Sequence, residues 1–462
     1  MRPVQSENPM HGGTAAETDT QAILENERNY VLRPWAVQRL AENPLVVKRA
    51  QGRHFWDAGG KRFLDFSSQL TNVNVAHQHP KIVAAIEKQA RTLCYASPSC
   101  VTAPRGTLGR MLAEIAPAGL NKSMVVTSGA AANDAALKIV RAWTGRQKTI
   151  GRYRSYHGGS YGAGAIGGDP RRVAVEPAVP GSVRVWDPLC YRCFFKMRYP
   201  ECGLHCAAAI RDVIETEGPE TVAAVFVEPI VGTNGLIVPP DGYMQELRAI
   251  CDDYGILLVF DEVMTGFGRT GEWFAADLFG VAPDVMTLSK GINSGALPIG
   301  VVMVHDRIAA HFDDHLLYVG ETQNGNPVAC ASAIAAIEVC QEENLIKNAR
   351  ELGSYLAERL ADLKSKHPCV GEARGKGLFW GLDLVADPQT RRPLVPWTVE
   401  NFENPPAAMR KLMNRLLEEG LFTTARWSVV MISPPLSITR DELDWGLETL
   451  DKALVVADDL IP

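Results

Sequence analysis

"LLVFDEVMTGFGRTG", residues 257–271, runs from an unbroken apolar stretch straight into two acids and then a glycine-rich turn. An uninterrupted apolar run of this length predicts a strand buried on both faces, the kind found in parallel sheets covered by helices. Asp261 and Glu262 then stand at the carboxyl end of that strand, where a carboxylate without a partner is costly. Ligands of open α/β sheets gather at this edge. The two acids therefore raise a question of chemistry as well as of folding.

The segments on either side follow the same plan. "KSMVVTSGAAANDAALKIVRAW" (122–143) is a β-branched run, a Gly/Ser turn and an amphipathic helix with Ala132, Ala136, Ile139, Val140 and Trp143 on one side. "TVAAVFVEPIVG" (221–232) reads as another buried strand, and each apolar run is preceded by a helical one, "AAAIRDVIETEG" and "GYMQELRAICDDYG". This alternation predicts an α/β large domain with a mostly parallel sheet over residues 77–330. Beyond it the pattern changes to long helices and short strands, so residues 331–462 are expected to form a smaller α+β domain. Residues 27–76, with a hairpin around a Gly-Gly turn, are expected to join that domain. Residues 1–26 read as a flexible polar tail, and 393–406 as a surface loop.

Composition narrows the function classes. The chain has 462 residues, 47 basic against 53 acidic, and a net charge of -6, with 46% hydrophobic residues. That balance argues against a nucleic-acid or membrane-surface partner. The start has no apolar core, so neither a signal peptide nor an anchor is expected, and a cytoplasmic location is the default. A P-loop or dinucleotide-binding fingerprint is absent. Ten cysteines do not make a secreted disulfide scaffold. Cys190, Cys193, Cys202 and Cys206 have a spacing that could hold a structural zinc; free thiols packed as small apolar groups are the expectation instead, with no metal.

Lys290, in "TLSKG" (287–291), follows directly on an apolar run. Alone it reads as a strand-end surface lysine, and Ser128-Gly129-Ala130 reads as a plain strand-to-helix turn. Together with Asp261 they acquire a shared meaning. A pyridoxal phosphate enzyme needs a lysine for a Schiff base, a carboxylate against the pyridine nitrogen and a helix N-terminus to hold the phosphate.

At these residues the chain resembles the class III (omega) aminotransferases, fold type I pyridoxal phosphate enzymes. The resemblance rests on "LDFSSQLTNVNVAHQHP" (64–80), "TSGAAANDAALKIVR" (127–141), "SYHGGSYGA" (155–163), "VEPIVG" (227–232), the opening stretch, "TLSKG" and "GETQNGNPVACASA" (320–333). It implies that Lys290 carries the cofactor and moves the substrate proton, that Asp261 pairs with the ring nitrogen, and that Ser128, Gly129 and Ala130 hold the phosphate. Tyr156 and Val263 would lie on opposite faces of the ring, with His157 and Glu228 nearby. Thr322 would reach the phosphate of a neighbouring subunit, making a homodimer. Glu262 is expected to make structural hydrogen bonds only.

Three departures bear on substrate. Members using 2-oxoglutarate commonly carry charged clamps where this chain has Gly159, Thr233 and Met431. An acid group left unpaired there would cost about 2–5 kcal/mol. The resemblance is closer to members using taurine, omega-amino acids or amines with pyruvate, with Leu70, Thr71 and Asn72 lining the pocket and Arg426 binding the acceptor carboxylate. A 2-oxoglutarate acceptor is the alternative. An aminomutase, a decarboxylase or an epimerase would start from the same residues.

Overall fold

The computed structural model describes residues 15–40, 44–404, 406–459 and 461. Near the N-terminus β1 (Val47–Gln51), β2 (His54–Asp57) and β3 (Arg62–Asp65) form an antiparallel meander. The expected Gly-Gly turn joins β2 to β3, with Gly60 at φ 85° and Asp57 accepting from Lys61 N at 2.8 Å. A helix at Ala15–Tyr30 replaces much of the expected tail, while residues 1–14 lie outside the described residues.

The central sheet is built from β4 (Lys122–Val126), β5 (Lys148–Arg152), β6 (Ser182–Val185), β7 (Val222–Val227), β8 (Leu257–Asp261), β9 (Val285–Leu288) and β10 (Gly300–Val304). Their order is β4-β10-β9-β8-β7-β5-β6, and β10 alone runs against its neighbours. Every residue of β7 and β8 is buried, as a strand covered by helices on both faces requires. The carboxyl ends of these two strands deliver Glu228 and Asp261 to one edge of the sheet.

The C-terminal part contributes β11 (Val370–Lys376), β12 (Phe379–Asp387), β13 (Arg392–Pro393), β14 (Leu421–Phe422), β15 (Ala425–Arg426) and β16 (Val429–Ile432). Five of them form a second sheet in the order β11-β12-β16-β15 with β13 on β12, while β14 pairs in parallel with β3 of the N-terminal meander. Helices Pro327–Glu342, Leu345–Lys366 and Arg440–Asp458 pack over this region, and Phe66, Leu356, Leu382 and Leu450 share one apolar core. The stretch 393–406 is not the plain surface loop expected. Thr398 caps a short helix, Val399–Glu403, and Trp397 and Phe402 pack beside Trp427.

One buried cation ties these parts together. Arg269, from the glycine-rich turn after β8, is fully buried and donates to Leu378 O, Pro434 O, Ser68 Oγ and Asn74 Oδ1 at 2.6–3.1 Å. Burial lowers its pKa to about 9. Its partners come from the N-terminal segment and from the adjoining ends of β12 and β16 in the C-terminal sheet, so one side chain sets their separation.

Close backbone contact makes a test of this packing. In helix Leu345–Lys366, a Cβ at Gly353 would lie 2.5 Å from the Gly377 backbone. Gly353→Ala gains about 1 kcal/mol of helix propensity, but overpacking against backbone costs about 1–3 kcal/mol or more. The variant should therefore show a lower thermal midpoint, read by calorimetry; a raised midpoint would contradict the contact.

Candidate active site

Asp261 is 3% exposed and carries three hydrogen bonds. Oδ2 meets His157 Nδ1 at 2.7 Å and accepts from Asn133 Nδ2 at 2.9 Å, while Oδ1 accepts from Val263 N at 3.0 Å. Asn133 also donates to His157 O and accepts from Thr287 Oγ1, so it locks the helix Gly129–Thr144 onto the ends of β8 and β9. Sequence reading missed Asn133. Its signal was a polar residue beside Ala132 on a helix side otherwise made of apolar groups.

Glu262 points the other way. Its carboxylate accepts from Thr265 Oγ1 and from the backbone N–H groups of Ala275 and Ala276 at 2.9 and 2.7 Å. It is a structural acceptor, as expected from its place after the strand.

The turn at 128–130 opens the helix Gly129–Thr144, with Ser128 Oγ accepting from Ala131 N at 3.1 Å. A Cβ on Gly129 would come within 3.1 Å of both Val263 methyl groups and 3.4 Å of Ser289, so a side chain there would fill the cradle. A Cβ on Gly158 would similarly strike Ala130, which places the 156–159 loop against the same helix end. Free N–H groups and the positive helix end at this point suit a phosphate.

Lys290 begins the short helical turn Lys290–Asn293 with φ 45°, a left-handed backbone that costs a lysine about 1–2 kcal/mol. Strain of this kind concentrates at functional sites. Its amine has no hydrogen-bond or ion-pair partner among the described residues. Burial lowers its pKa to about 8, against the opposing pull of Glu228 and Asp261. Glu228 is itself buried and clamps two loops, accepting from Tyr156 N at 3.0 Å and Gly232 N at 2.8 Å. Burial raises its pKa, His157 opposes and Asp261 adds to the rise.

Outward from this centre the Arg171 guanidinium lies 3.5 Å over the Tyr156 ring and forms a two-pronged pair with Asp169 at 2.7 and 2.9 Å. Phe402 sits between Arg171 and Arg426, 5.5 and 5.2 Å from its ring centre. Arg426, on β15, thus shares the neighbourhood of Tyr156. A cavity of about 270 Å³ opens here, bordered by Tyr156, His157, Gly159, Arg171 and Phe402.

The expected pocket residues 70–72 divide. Leu70 is exposed and Asn72 half-buried, but Thr71 is 2% exposed and its hydroxyl meets Ser433 Oγ at 3.2 Å. Positive φ angles at Ser68, Gln69 and Thr71 turn this segment away from an extended course, and Thr71 lies inward beside Ser433. Thr322 is exposed; the adjoining Glu321 accepts from Thr127 Oγ1 at 2.8 Å, fixing the loop beside the cradle. Met431 lies in an apolar cluster with Ile230, Leu236, Phe379 and Val429, so no charged clamp stands at that place. Cys190, Cys193, Cys202 and Cys206 are free thiols, and burial raises the pKa of Cys190 to about 11 and of Cys206 to about 12. Among the described residues no group of three or more His, Cys, Asp or Glu side chains is arranged to hold a metal.

The family model "Aminotransferase class-III" matches residues 36–454. The chain belongs to this family. The class III enzyme is 37% identical to a leucine/methionine racemase of Thermococcus litoralis, over 90% of this chain and 92% of that protein. It is 33% identical to a taurine–pyruvate aminotransferase of Bilophila wadsworthia, over 90% and 93% respectively. Among solved structures it superposes on a taurine:2-oxoglutarate aminotransferase from Bifidobacterium kashiwanohense, in complex with PLP and glutamate, with a TM-score of 0.90, 38% identity and coverage of 95% and 98%. The family's cofactor is pyridoxal 5'-phosphate, and the unpartnered amine of Lys290, the side-chain-free cradle at Gly129 and the His157 Nε2 left without a partner fit its residence here.

Two outcomes test this geometry. The apoprotein should capture the cofactor aldehyde at a rate that rises with pH to a half-point near 8, because only the neutral amine attacks; a half-point near 10, about the value of a free lysine, would show Lys290 to be solvated. Asn133→Ala removes a hydrogen bond to a charged group and should lower turnover by about 10–100-fold while the protein still folds. Unchanged turnover and cofactor retention would show that His157 alone holds Asp261.

Proposed function

We propose that this enzyme moves an amino group from an omega-amino acid, taurine or a simple amine to a 2-oxo acid in a ping-pong cycle, with pyruvate as the favoured acceptor. The observation that carries the acceptor preference is the absence of charge at Gly159, Thr233 and Met431, together with Arg426 near Tyr156. A short acceptor needs one carboxylate partner at this position, and Arg426 supplies it. The kinship to a taurine:2-oxoglutarate aminotransferase supports the alternative acceptor, and the kinship to a leucine/methionine racemase supports a second reading in which an amino acid is racemised without loss of its amino group.

In this reading pyridoxal phosphate supplies an electron sink when bound. Lys290 holds the cofactor and then moves the proton at the substrate carbon, for which an amine with a pKa near 8 is matched to neutral conditions. Asp261, fixed by His157 and Asn133, would pair with the ring nitrogen. Ser128, Gly129 and Ala130 receive the phosphate, and Val263 and Tyr156 border the ring. Arg171, stacked on Tyr156, keeps that ring from swinging outward. Thr322 would hold the phosphate bound in a second copy. Exposed Leu316 and Tyr318, just before the loop that carries Thr322, support a partner seated there and hence a homodimer. No described helix is long and apolar enough to cross a membrane, and we place the enzyme in the cytoplasm.

The test is the near-visible spectrum of the cofactor-loaded protein during stepwise addition of taurine, β-alanine, 4-aminobutyrate and a simple amine, followed by pyruvate or 2-oxoglutarate. The band should bleach with at least one of these donors and return with pyruvate. Loss of optical activity of leucine or methionine with no consumption of keto acid would replace the proposal by the racemase reading.

A further inference from the structure

Arg154 lies two residues before Tyr156 and is not used by the chemistry described above. Its guanidinium makes no hydrogen bond and no ion pair among the described residues. It stands over the Trp397 ring, 5.1 Å from the centre, and one of its nitrogens is 3.6 Å from where a Cβ of Gly235 would be. Burial is the main cause that lowers its pKa to about 10. The neighbouring Asn234 is completely buried, with its side-chain Oδ1 3.5 Å from Trp397 Nε1 and its Nδ2 donor left without a partner. A buried donor without an acceptor normally finds one in water or a ligand.

The charge balance around Arg154 has the same sense. Arg374 pairs with Glu372 and with Asp383 at 2.9 Å, and Arg192 also pairs with Asp383. Asp187 spends one carboxylate oxygen on the backbone N–H of Arg154 at 2.9 Å and faces Arg152 as well. Arg152, Arg154, Arg192 and Arg374 thus stand against Asp187, Asp383 and Glu372, four cations against three anions.

Glu228 links the segments that carry Arg154 and Asn234 to the reacting centre. One carboxylate holds the N–H groups of Tyr156 and Gly232, so Arg154 and Asn234 each lie two residues beyond a point anchored beside Lys290. The aromatic groups Phe402, Trp427 and Trp397 continue from Arg426 to Arg154 in contacts of 5.1–6.0 Å. Resting on the aminotransferase reading, we infer that Arg154, lying over Trp397 and aided by the Asn234 amide, forms a second acid-group subsite, which takes the distal carboxylate or sulfonate of a substrate while Arg426 serves the acid group nearer the reacting carbon. The subsite would act in addition to Arg426 and leaves the places at Gly159, Thr233 and Met431 uncharged. It brings dicarboxylic 2-oxo acids and the longer omega-amino acids within the substrate range.

Two measurements decide it. In Arg154→Gln, the ratio of kcat/KM for 2-oxoglutarate to that for pyruvate should fall by about tenfold or more, the loss expected for one partly solvated charge pair, and Arg154→Lys should recover part of it. Glutarate, a dicarboxylate that cannot react, should bind the loaded protein more tightly than butyrate in calorimetry, and Arg154→Gln should abolish that preference. Equal effects of the substitution on 2-oxoglutarate and pyruvate, or no preference for glutarate in the unaltered protein, would overturn the subsite. If no donor reacts at all, the aminotransferase reading fails instead, and glutarate binding still gives the answer for Arg154.

Discussion

The site is organised by the cost of burying Asp261. A carboxylate removed from water at the end of an internal strand is tolerated only with its lone pairs engaged. Here the imidazole of His157, the amide of Asn133 and one backbone N–H engage it. Each of these groups belongs to a different segment, so satisfying one oxygen pair fixes the helix Gly129–Thr144 and the loop at 156–159 relative to β8. The helix N-terminus at 128–130 and the Tyr156 ring occupy their places because of that arrangement.

Similar economy appears at the other buried charges. Glu228 joins two loops, Glu262 collects the first turn of a neighbouring helix, and Arg269 collects four acceptors from distant parts of the chain. Asp261, Glu228 and Glu262 sit at or just beyond strand ends, and Arg269 in the turn that follows β8, where the sheet stops providing backbone partners. Side chains take over the hydrogen bonding there, and the shape of the site is defined by them.

The strands of the central sheet were legible because fully apolar runs separated by amphipathic helices admit few other folds. Asp261 stood out because a carboxylate directly after such a run has to be explained, whereas Lys290 and Ser128 gained meaning only when read together with it and with the family's motifs. Asn133 was hidden by its small neighbours, and Arg154 and Arg171 look like ordinary surface arginines until Trp397 and Tyr156 are seen beside them. Trp397 comes from a segment far along the chain, so no local pattern could have revealed that contact. The course of the chain at Thr71 was hidden for a backbone reason, since left-handed residues on either side of Leu70 depart from an extended reading. The stretch 393–406 failed because its prolines outweighed two aromatic groups, Trp397 and Phe402, whose partner Trp427 lies elsewhere.

The grip of Glu228 has an evolutionary side. It holds main-chain N–H groups at residues 156 and 232, which every residue type except proline can offer. Side chains flanking those points can therefore be exchanged without disturbing the loops that present them. A scaffold of this kind separates inheritance of the reaction centre from inheritance of substrate preference. Kin that share more than a third of their residues with this chain can then diverge from amino transfer to racemisation by changing what the loops display, while the loops themselves stay where they are.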